Sequence, residues 1–143
     1  SRSCSTPSYG RIWRRPSRIF RPCGLLEEIK EMERFRIEDM HQGWFIGDFK
    51  PMAFQTTACE VAWKQHGAGE PWPKHVHQQV TEINFLVRGR MTAHIKEGAK
   101  NLQEGDIFVL HPEEWIQPEF HTDCQLVVVK IPGIANDKLI LPP

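Results

Sequence analysis

The chain has 143 residues, a length typical of one domain, and its 40% hydrophobic content is enough to build one core. Its 18 basic and 18 acidic residues cancel, which argues against nucleic acid or an anionic membrane as the main partner. No apolar run approaches the roughly 20 residues of a membrane-spanning helix, so we expect no membrane partner of that kind.

The four cysteines are scattered along the chain and form no CxxC pair, which argues against a cysteine zinc site. The sequence also shows no secretory signal. Together these features favour free thiols in a reducing compartment, and we therefore predict a cytoplasmic location.

The charge is unevenly distributed between the start of the chain and the rest. Residues 1–31 carry seven basic and three acidic side chains, a net charge of +4, and residues 32–143 carry −4. The first 26 residues hold no acid, are rich in Ser, Arg and Pro, and show neither a helical nor a strand period. Because such a segment buries too little apolar surface to offset its ordering entropy, we predict a disordered basic tail over 1–31 and a domain over 32–143.

Three interpretations of the tail stay open. It has the composition of an organelle transit peptide, it could be a basic arm that contacts phosphates, or it could be upstream sequence of a protein that starts at Met32. At its end, apolar residues at positions 25, 26, 29 and 32 predict a short helix over 25–34.

Beyond residue 40 the pattern is one of short strands separated by turns that contain Gly or Pro. The residues over 67–74 are predicted as a loop, those over 97–105 as a polar turn, and those over 131–143 as an irregular strand. A first strand is predicted within 40–48, around Trp44, Phe45 and Ile46, and the others at 54–66, 80–88, 90–96, 106–110, 116–121 and 125–131. Many short strands of this kind indicate an all-β sandwich or barrel.

The residues with evident chemistry lie between the predicted loop and the strand after it. His75 and His77 are two residues apart, so on an extended strand both imidazoles point to the same face. Glu82 begins the next strand and can return to the same point. Two histidines and a carboxylate suit one divalent transition metal ion, whether Fe, Mn, Ni, Cu or Zn. The competing interpretation is a pair of surface histidines on a loop.

The spacing of these residues also carries a family resemblance. Gly69, His75, His77, Glu82 and Gly89 fill every fixed position of the pattern G(x)5HxH(x)4E(x)6G. This segment resembles the first conserved motif of the cupin superfamily, and the resemblance extends over about residues 41–131. It implies a single antiparallel jelly-roll β-barrel, a metal held by the two histidines and the glutamate, and a homodimer formed through edge strands.

The second cupin motif begins as expected at Gly105 and then departs from the pattern. Ile116 stands where the family places a fourth metal ligand, a histidine. If the turn at 111–115 shifts the strand register by one, Gln117, Glu119 and His121 face inward instead. The fourth ligand is then His121, Gln117 or water.

Several other polar residues are expected at solvated positions. Glu60 and Lys64 flank Trp63 and are predicted to form a solvated face, His66 to be exposed at a strand end, and His94 to lie on the outer side of the sheet. Trp72, beside the histidine pair, either lines the mouth of a pocket or packs into the core.

Two functions follow from these expectations. The first is a metal-binding barrel acting on a small polar molecule, as an oxygenase, isomerase or lyase, with the metal activating water or O2 or polarising a carbonyl. The alternative is a non-catalytic barrel that binds or senses such a molecule. The reaction and the substrate are not specified by the motif, because one fold hosts unrelated chemistries.

Overall fold

A computed structural model gives the structure of residues 19–20, 26–27 and 30–143. The chain divides into two units, residues 1–33 and residues 34–143. In the first unit, β1 (Ile19–Phe20) and β2 (Leu26–Glu27) pair antiparallel. Most of the predicted disordered tail lies outside the described residues, so its disorder stays a prediction.

The short helix predicted over 25–34 is wrong where the structure describes it. Leu26–Glu27 is a strand, and residues 30–34 have no helical structure. Met32, one of the four apolar residues behind the prediction, is almost fully exposed. A helix this short is marginal in water unless an apolar stripe packs against something, and here Met32 finds no such packing.

The second unit is built from strands. It begins with two 3-10 turns, Ile37–Asp39 and His41–Gly43, and continues with ten strands. No helix among the described residues is long and apolar enough to cross a membrane. The strands are β3 (Trp44–Ile46), β4 (Glu60–His66), β5 (His75–His77), β6 (Thr81–Arg88), β7 (Arg90–Ile95), β8 (Gly98–Gln103), β9 (Ile107–Leu110), β10 (Trp115–Phe120), β11 (Cys124–Ile131) and β12 (Lys138–Ile140).

These strands form two five-stranded antiparallel sheets. The order is β12-β5-β10-β7-β8 in one sheet and β3-β4-β11-β6-β9 in the other. Except for the pairs β3–β4 and β7–β8, neighbours in each sheet are not consecutive in sequence, as in a jelly roll, so the predicted all-β fold is confirmed. The homodimer through edge strands stays a prediction.

The core lies on the inner faces of the two sheets. Along β11, the buried residues Cys124, Leu126 and Val128 alternate with half-buried ones, which is the period of a strand with one face inward. Met91 of β7 and Phe120 of β10 pack on them from the other sheet. At about 1.5–3 kcal/mol for a fully buried large apolar side chain, this cluster is a main source of the stability of the barrel.

The strand boundaries differ from the sequence prediction in two places. The residues over 97–105, predicted as a polar turn, contain β8, an edge strand with almost every residue exposed. Its side chains show no apolar alternation because neither face is buried, and its order comes from backbone pairing with β7. The strand predicted over 54–66 begins only at Glu60.

Gly89, the last glycine of the motif, connects β6 to β7. Its φ of +104° lies in the region that side chains with a Cβ rarely adopt. A Cβ at this position would also collide with the backbone carbonyl oxygen of Asp123. The motif glycine is therefore explained by backbone geometry, and it allows the strand carrying Glu82 to turn directly into β7.

Candidate metal centre

His75 and His77 lie at the two ends of the three-residue strand β5. Both are buried, while Val76 between them faces the other way. β5 is held on both sides, by β10 and by the C-terminal strand β12. The sequence prediction that the two imidazoles share one face is therefore confirmed.

Glu82 reaches the same place from the opposite sheet. It lies near the start of β6 and is buried. One side-chain donor atom from each of His75, His77 and Glu82 lies within 4.8 Å of the other two. The Nε2 atom of His77 and the Oε2 atom of Glu82 are 2.7 Å apart. The structure thus brings together three of the four predicted site residues.

A hydrogen bond fixes the tautomer of His75. Its Nδ1 atom lies 2.9 Å from the carbonyl oxygen of Pro73. Because a carbonyl only accepts, Nδ1 must carry the proton and Nε2 keeps its lone pair, as in most metal-binding histidines. Burial, opposed by this hydrogen bond, lowers the pKa of His75, which favours the neutral form that binds metal.

The carboxylate of Glu82 is held in its ionised form. Burial by itself would raise its pKa, but His77, the Asn84 amide and Lys130 outweigh burial and hold the pKa well below its usual range. The Asn84 amide nitrogen donates to Oε1 over 3.0 Å, which leaves Oε2 toward His77. An ionised buried carboxylate is the form that a cation requires.

His77 supplies the test of whether these residues fit a metal ion. Both of its ring nitrogens are fully buried, and neither has a partner in hydrogen-bond geometry among the described residues, although Glu82 is close to Nε2. A buried polar atom without a partner costs about 1–3 kcal/mol. A metal ion would satisfy Nε2 of His77, and the set of two imidazoles and one carboxylate is one that divalent transition metals accept.

A buried aspartate near the C-terminus positions the loop between the ligands. The Asp137 carboxylate accepts hydrogen bonds from the backbone nitrogens of Gln79 (3.1 and 3.0 Å) and Val80 (3.0 Å). These residues connect β5 to β6 and thereby set how His77 meets Glu82. The Oδ2 atom of Asp137 also lies 4.0 Å from Nδ1 of His77. Nothing in the local sequence around Asp137 marks it as part of the site, so it was not predictable from a motif.

The predicted fourth ligands lie elsewhere. In β10 the inner face carries Ile116, Pro118 and Phe120, while Gln117 and His121 are exposed. The Nε2 atom of His121 lies 2.6 Å from the hydroxyl oxygen of Thr92, away from the candidate centre. The register shift predicted at 111–115 is therefore wrong, because β10 keeps its apolar residues inward to fill the barrel.

A cavity of about 260 Å³ opens beside the three candidate ligands. Its walls are mainly aromatic and apolar, which is typical of a small-molecule site. Trp72 lines it, as one of the two interpretations of the sequence expected. His66, expected to be exposed, is part of the wall and stacks on Phe120 with 4.3 Å between ring centres. The remaining apolar lining includes Trp44, Met91, Phe108, Leu126 and Val128.

Three lysines also line the cavity: Lys64, Lys130 and Lys138, here called the lysine cluster. The Nζ atoms of Lys64 and Lys130 lie 5.0 and 4.5 Å from the ring centre of Trp44, and that of Lys138 lies 4.9 Å from the ring centre of Trp72. The prediction of a solvated face at Lys64 is wrong, because β4 turns the face carrying Ala62 and Lys64 toward the interior.

The environment weakens the charge of two of these lysines. Burial, followed by repulsion from Lys130 and Lys138, lowers the pKa of Lys64 to about 8. Burial and repulsion from Lys130 also lower the pKa of Lys138. The strand alternation in β4 and β11 indicates that these lysines face inward, because Lys64 and Lys130 share a face with Ala62 and Val128.

The fold and site define a cupin, an all-β barrel with its candidate ligands inside. The family model of the AraC-like ligand binding domain matches residues 60–139, more than half of the chain. The chain therefore belongs to the family of AraC-like ligand-binding domains, within the cupin superfamily. No curated protein matches its sequence.

Solved structures with a similar fold have low sequence identity to the chain. A protein with a double-stranded β-helix domain from Klebsiella pneumoniae has 20% identity and a TM-score of 0.56, over 62% of this chain and 74% of its own. The DMSP lyase DddQ from Ruegeria pomeroyi has 14% identity and a TM-score of 0.59, over 68% and 49%. KdgF from a Halomonas species has 18% identity and a TM-score of 0.51, over 54% and 72%. At these identities the likeness shows the fold alone.

Proposed function

We propose that the chain is a metal-binding cupin that binds or acts on a small polar molecule, with His75, His77 and Glu82 as the metal ligands. The observation that carries the proposal is the convergence of three buried donors beside a cavity, with neither ring nitrogen of His77 in hydrogen-bond geometry with any described residue. One divalent transition ion, Fe, Mn, Ni, Cu or Zn, would supply Lewis acidity there.

The residues of the chain have distinct tasks in this proposal. His75 and His77 offer ring nitrogens, with Nδ1 of His75 engaged by the Pro73 carbonyl oxygen, and Glu82 offers an ionised carboxylate oriented by Asn84. The aromatic residues of the wall place apolar surface beside these donors, and polar contacts are stronger where such surface lowers the local dielectric constant. Among the residues that line the cavity, Glu82 is the one carboxylate. Since it serves as a ligand here, an oxygenase, isomerase or lyase reaction would need its proton acceptor from the substrate, a lysine or water.

The lack of a second carboxylate among the lining residues favours the second candidate, a barrel that binds or senses its ligand without turning it over. The family to which the chain belongs is described by ligand binding, which supports this candidate too. Product formation from a bound small molecule would favour the enzyme, and its unchanged release would favour the sensor.

The metal proposal is tested by elemental analysis of the protein without a histidine tag, before and after reconstitution with Fe(II), Mn(II), Ni(II), Cu(II) and Zn(II). We expect close to one ion per chain in the wild type, and loss of the ion in His75→Ala and Glu82→Ala. His121→Ala is the matched control and should keep the ion, because this exposed histidine pairs with Thr92.

Circular dichroism of each variant separates loss of the ligand from loss of the fold. A wild type that takes up none of the five ions would overturn the metal proposal and leave a metal-free ligand-binding barrel. Equal metal retention in His75→Ala and the wild type would overturn the assignment of the ligands.

A further inference from the structure

We propose that the ligand of this cavity is a small organic anion, whose carboxylate, sulfonate or phosphate group is held by the lysine cluster. The inference deepens the proposed function by naming the class of molecule, and rests on it for the role of His75, His77 and Glu82 at the other end of the ligand.

The three lysines are placed in the interior by the strands that carry them. Lys64 and Lys130 come from β4 and β11 of one sheet, and Lys138 comes from β12 of the other. On the same inner faces, Ala62 of β4 and Leu126 and Val128 of β11 are buried small or apolar residues. Lysines from both sheets thus meet at one cavity, where the barrel pattern calls for apolar side chains.

No carboxylate in the described part of the chain forms a direct ion pair with this cluster. None of the three ammonium groups lies within 4.0 Å of a described carboxylate. The one carboxylate of the lining, Glu82, lies 2.7 Å from His77 and accepts a hydrogen bond from Asn84. The lining thus holds three lysines and one carboxylate, although the whole chain has a net charge of zero.

The cluster is held in place without an anion. The Trp44 and Trp72 rings contact the ammonium groups through cation–π interactions, and Lys64 donates to the carbonyl oxygen of Gln42 over 2.7 Å. These contacts keep the charges facing the cavity but leave most of their donors free. An anionic group would accept those donors and remove the mutual repulsion of the lysines.

The rest of the cavity limits what else the ligand can be. A volume of about 260 Å³ is at the small end of ligand pockets and suits a metabolite-sized molecule. Trp44, Trp72 and Phe120 offer apolar and aromatic surface to its body. A compact anion with an apolar or planar body fits this combination of walls and charges.

The test compares acids with neutral molecules of the same shape. Isothermal titration calorimetry on the full chain would use benzoate against benzamide, glutarate against glutaramide, and inorganic phosphate. We expect at least one acid to bind about tenfold or more tightly than its amide. Lys130→Met and Lys138→Met should each weaken the binding of that acid by about tenfold. Lys74→Met is the matched control, since Lys74 also lies over a tryptophan ring, 3.9 Å from the centre of Trp115, but lines no part of the cavity.

The titrations are run on metal-free and on reconstituted protein, so that the two proposals fail separately. Binding of an acid that depends on Lys130 and Lys138 in a protein that takes up no metal supports the anion site and overturns the metal site. Stoichiometric metal together with equal affinity for each acid and its amide overturns the anion site alone. Acid binding that is as strong in Lys130→Met and Lys138→Met as in Lys74→Met also overturns it. Lys130→Gln and Lys138→Gln repeat the comparison if a methionine variant fails to fold.

Discussion

Two histidine–glutamate pairs in the barrel have nearly the same separation and very different surroundings. His77 and Glu82 are 2.7 Å apart on the inner side of the sheets, with side chains 5% and 10% exposed. His94 and Glu119 are 2.8 Å apart on the outer side, with side chains 45% and 56% exposed. The distance between the partners does not distinguish the two pairs, whereas their access to water does.

The comparison shows how burial turns an ordinary ion pair into a candidate site. Outside, water solvates both partners, and a pair of this kind contributes little to stability or binding. Inside, the charge of Glu82 has lost its water and depends on His77, Asn84 and Lys130. The same loss of water makes the inner donors available to a metal ion or a ligand, because those are the partners that can replace it.

The largest expected effect comes from removing the histidine of each pair in metal-free protein. His77→Ala leaves the ionised Glu82 buried without its main partner, and we expect a loss of about 3 kcal/mol in the free energy of unfolding. His94→Ala is the matched variant and should produce no measurable change, because water replaces it. Urea denaturation monitored by tryptophan fluorescence provides both values. Equal losses in the two variants would show that burial does not set the difference between the pairs.

Much of the inner site was predictable because its residues form a local pattern. His75 and His77 lie two apart on one strand, and Glu82 follows five residues later, so strand geometry and the cupin resemblance both place them together. The all-β fold was predictable for a similar reason, since apolar alternation and Gly or Pro turns mark most strands along the chain. β8 escaped prediction because it is exposed on both faces.

The remainder of the site depends on contacts between distant parts of the chain. Asp137 reaches the β5–β6 loop across 57 and 58 residues of sequence. Lys64, Lys130 and Lys138 come from three strands whose meeting point is fixed by sheet order. The error over His121 has a related cause, because the register of β10 is decided by packing against the opposite sheet rather than by its turn.

A smaller effect is expected from the carboxylate that supports the inner pair. Asp137→Asn weakens the hold on the backbone nitrogens of Gln79 and Val80, so His77 and Glu82 are less well oriented. Loss of such a supporting group typically lowers metal affinity by roughly 10–100-fold, and we expect a change in this range. Competition with a coloured chelator would measure it.

An exposed aspartate, Asp123, provides the control for Asp137→Asn. Asp123 accepts a hydrogen bond from the backbone nitrogen of Ala68 over 2.9 Å, in a loop away from the three ligands. Asp123→Asn should therefore leave metal affinity unchanged. If both aspartate variants lost affinity equally, the role of Asp137 would be one of general stability rather than orientation.

The smallest expected effect is on the pH dependence of stability, and it compares Lys64, which lines the cavity, with Lys74, which does not. Burial and the neighbouring Lys130 and Lys138 lower the pKa of Lys64 from 10.5 to about 8. Between these two values the unfolded chain binds a proton that the folded chain has released, so stability rises with pH in this window. Below pH 8 Lys64 is protonated in both states, and it contributes no slope.

Lys64→Met removes this contribution, so from pH 8 to pH 10 the wild type should gain stability relative to the variant, by less than about 1 kcal/mol because Lys64 is only half-buried. Urea denaturation of metal-free protein at several pH values measures the difference. Lys74→Met, which leaves the lysine cluster intact, should follow the wild type across the same range. Parallel profiles for the wild type and Lys64→Met would contradict the prediction, and would mean that the inner lysine is as well solvated as a lysine on the outer surface.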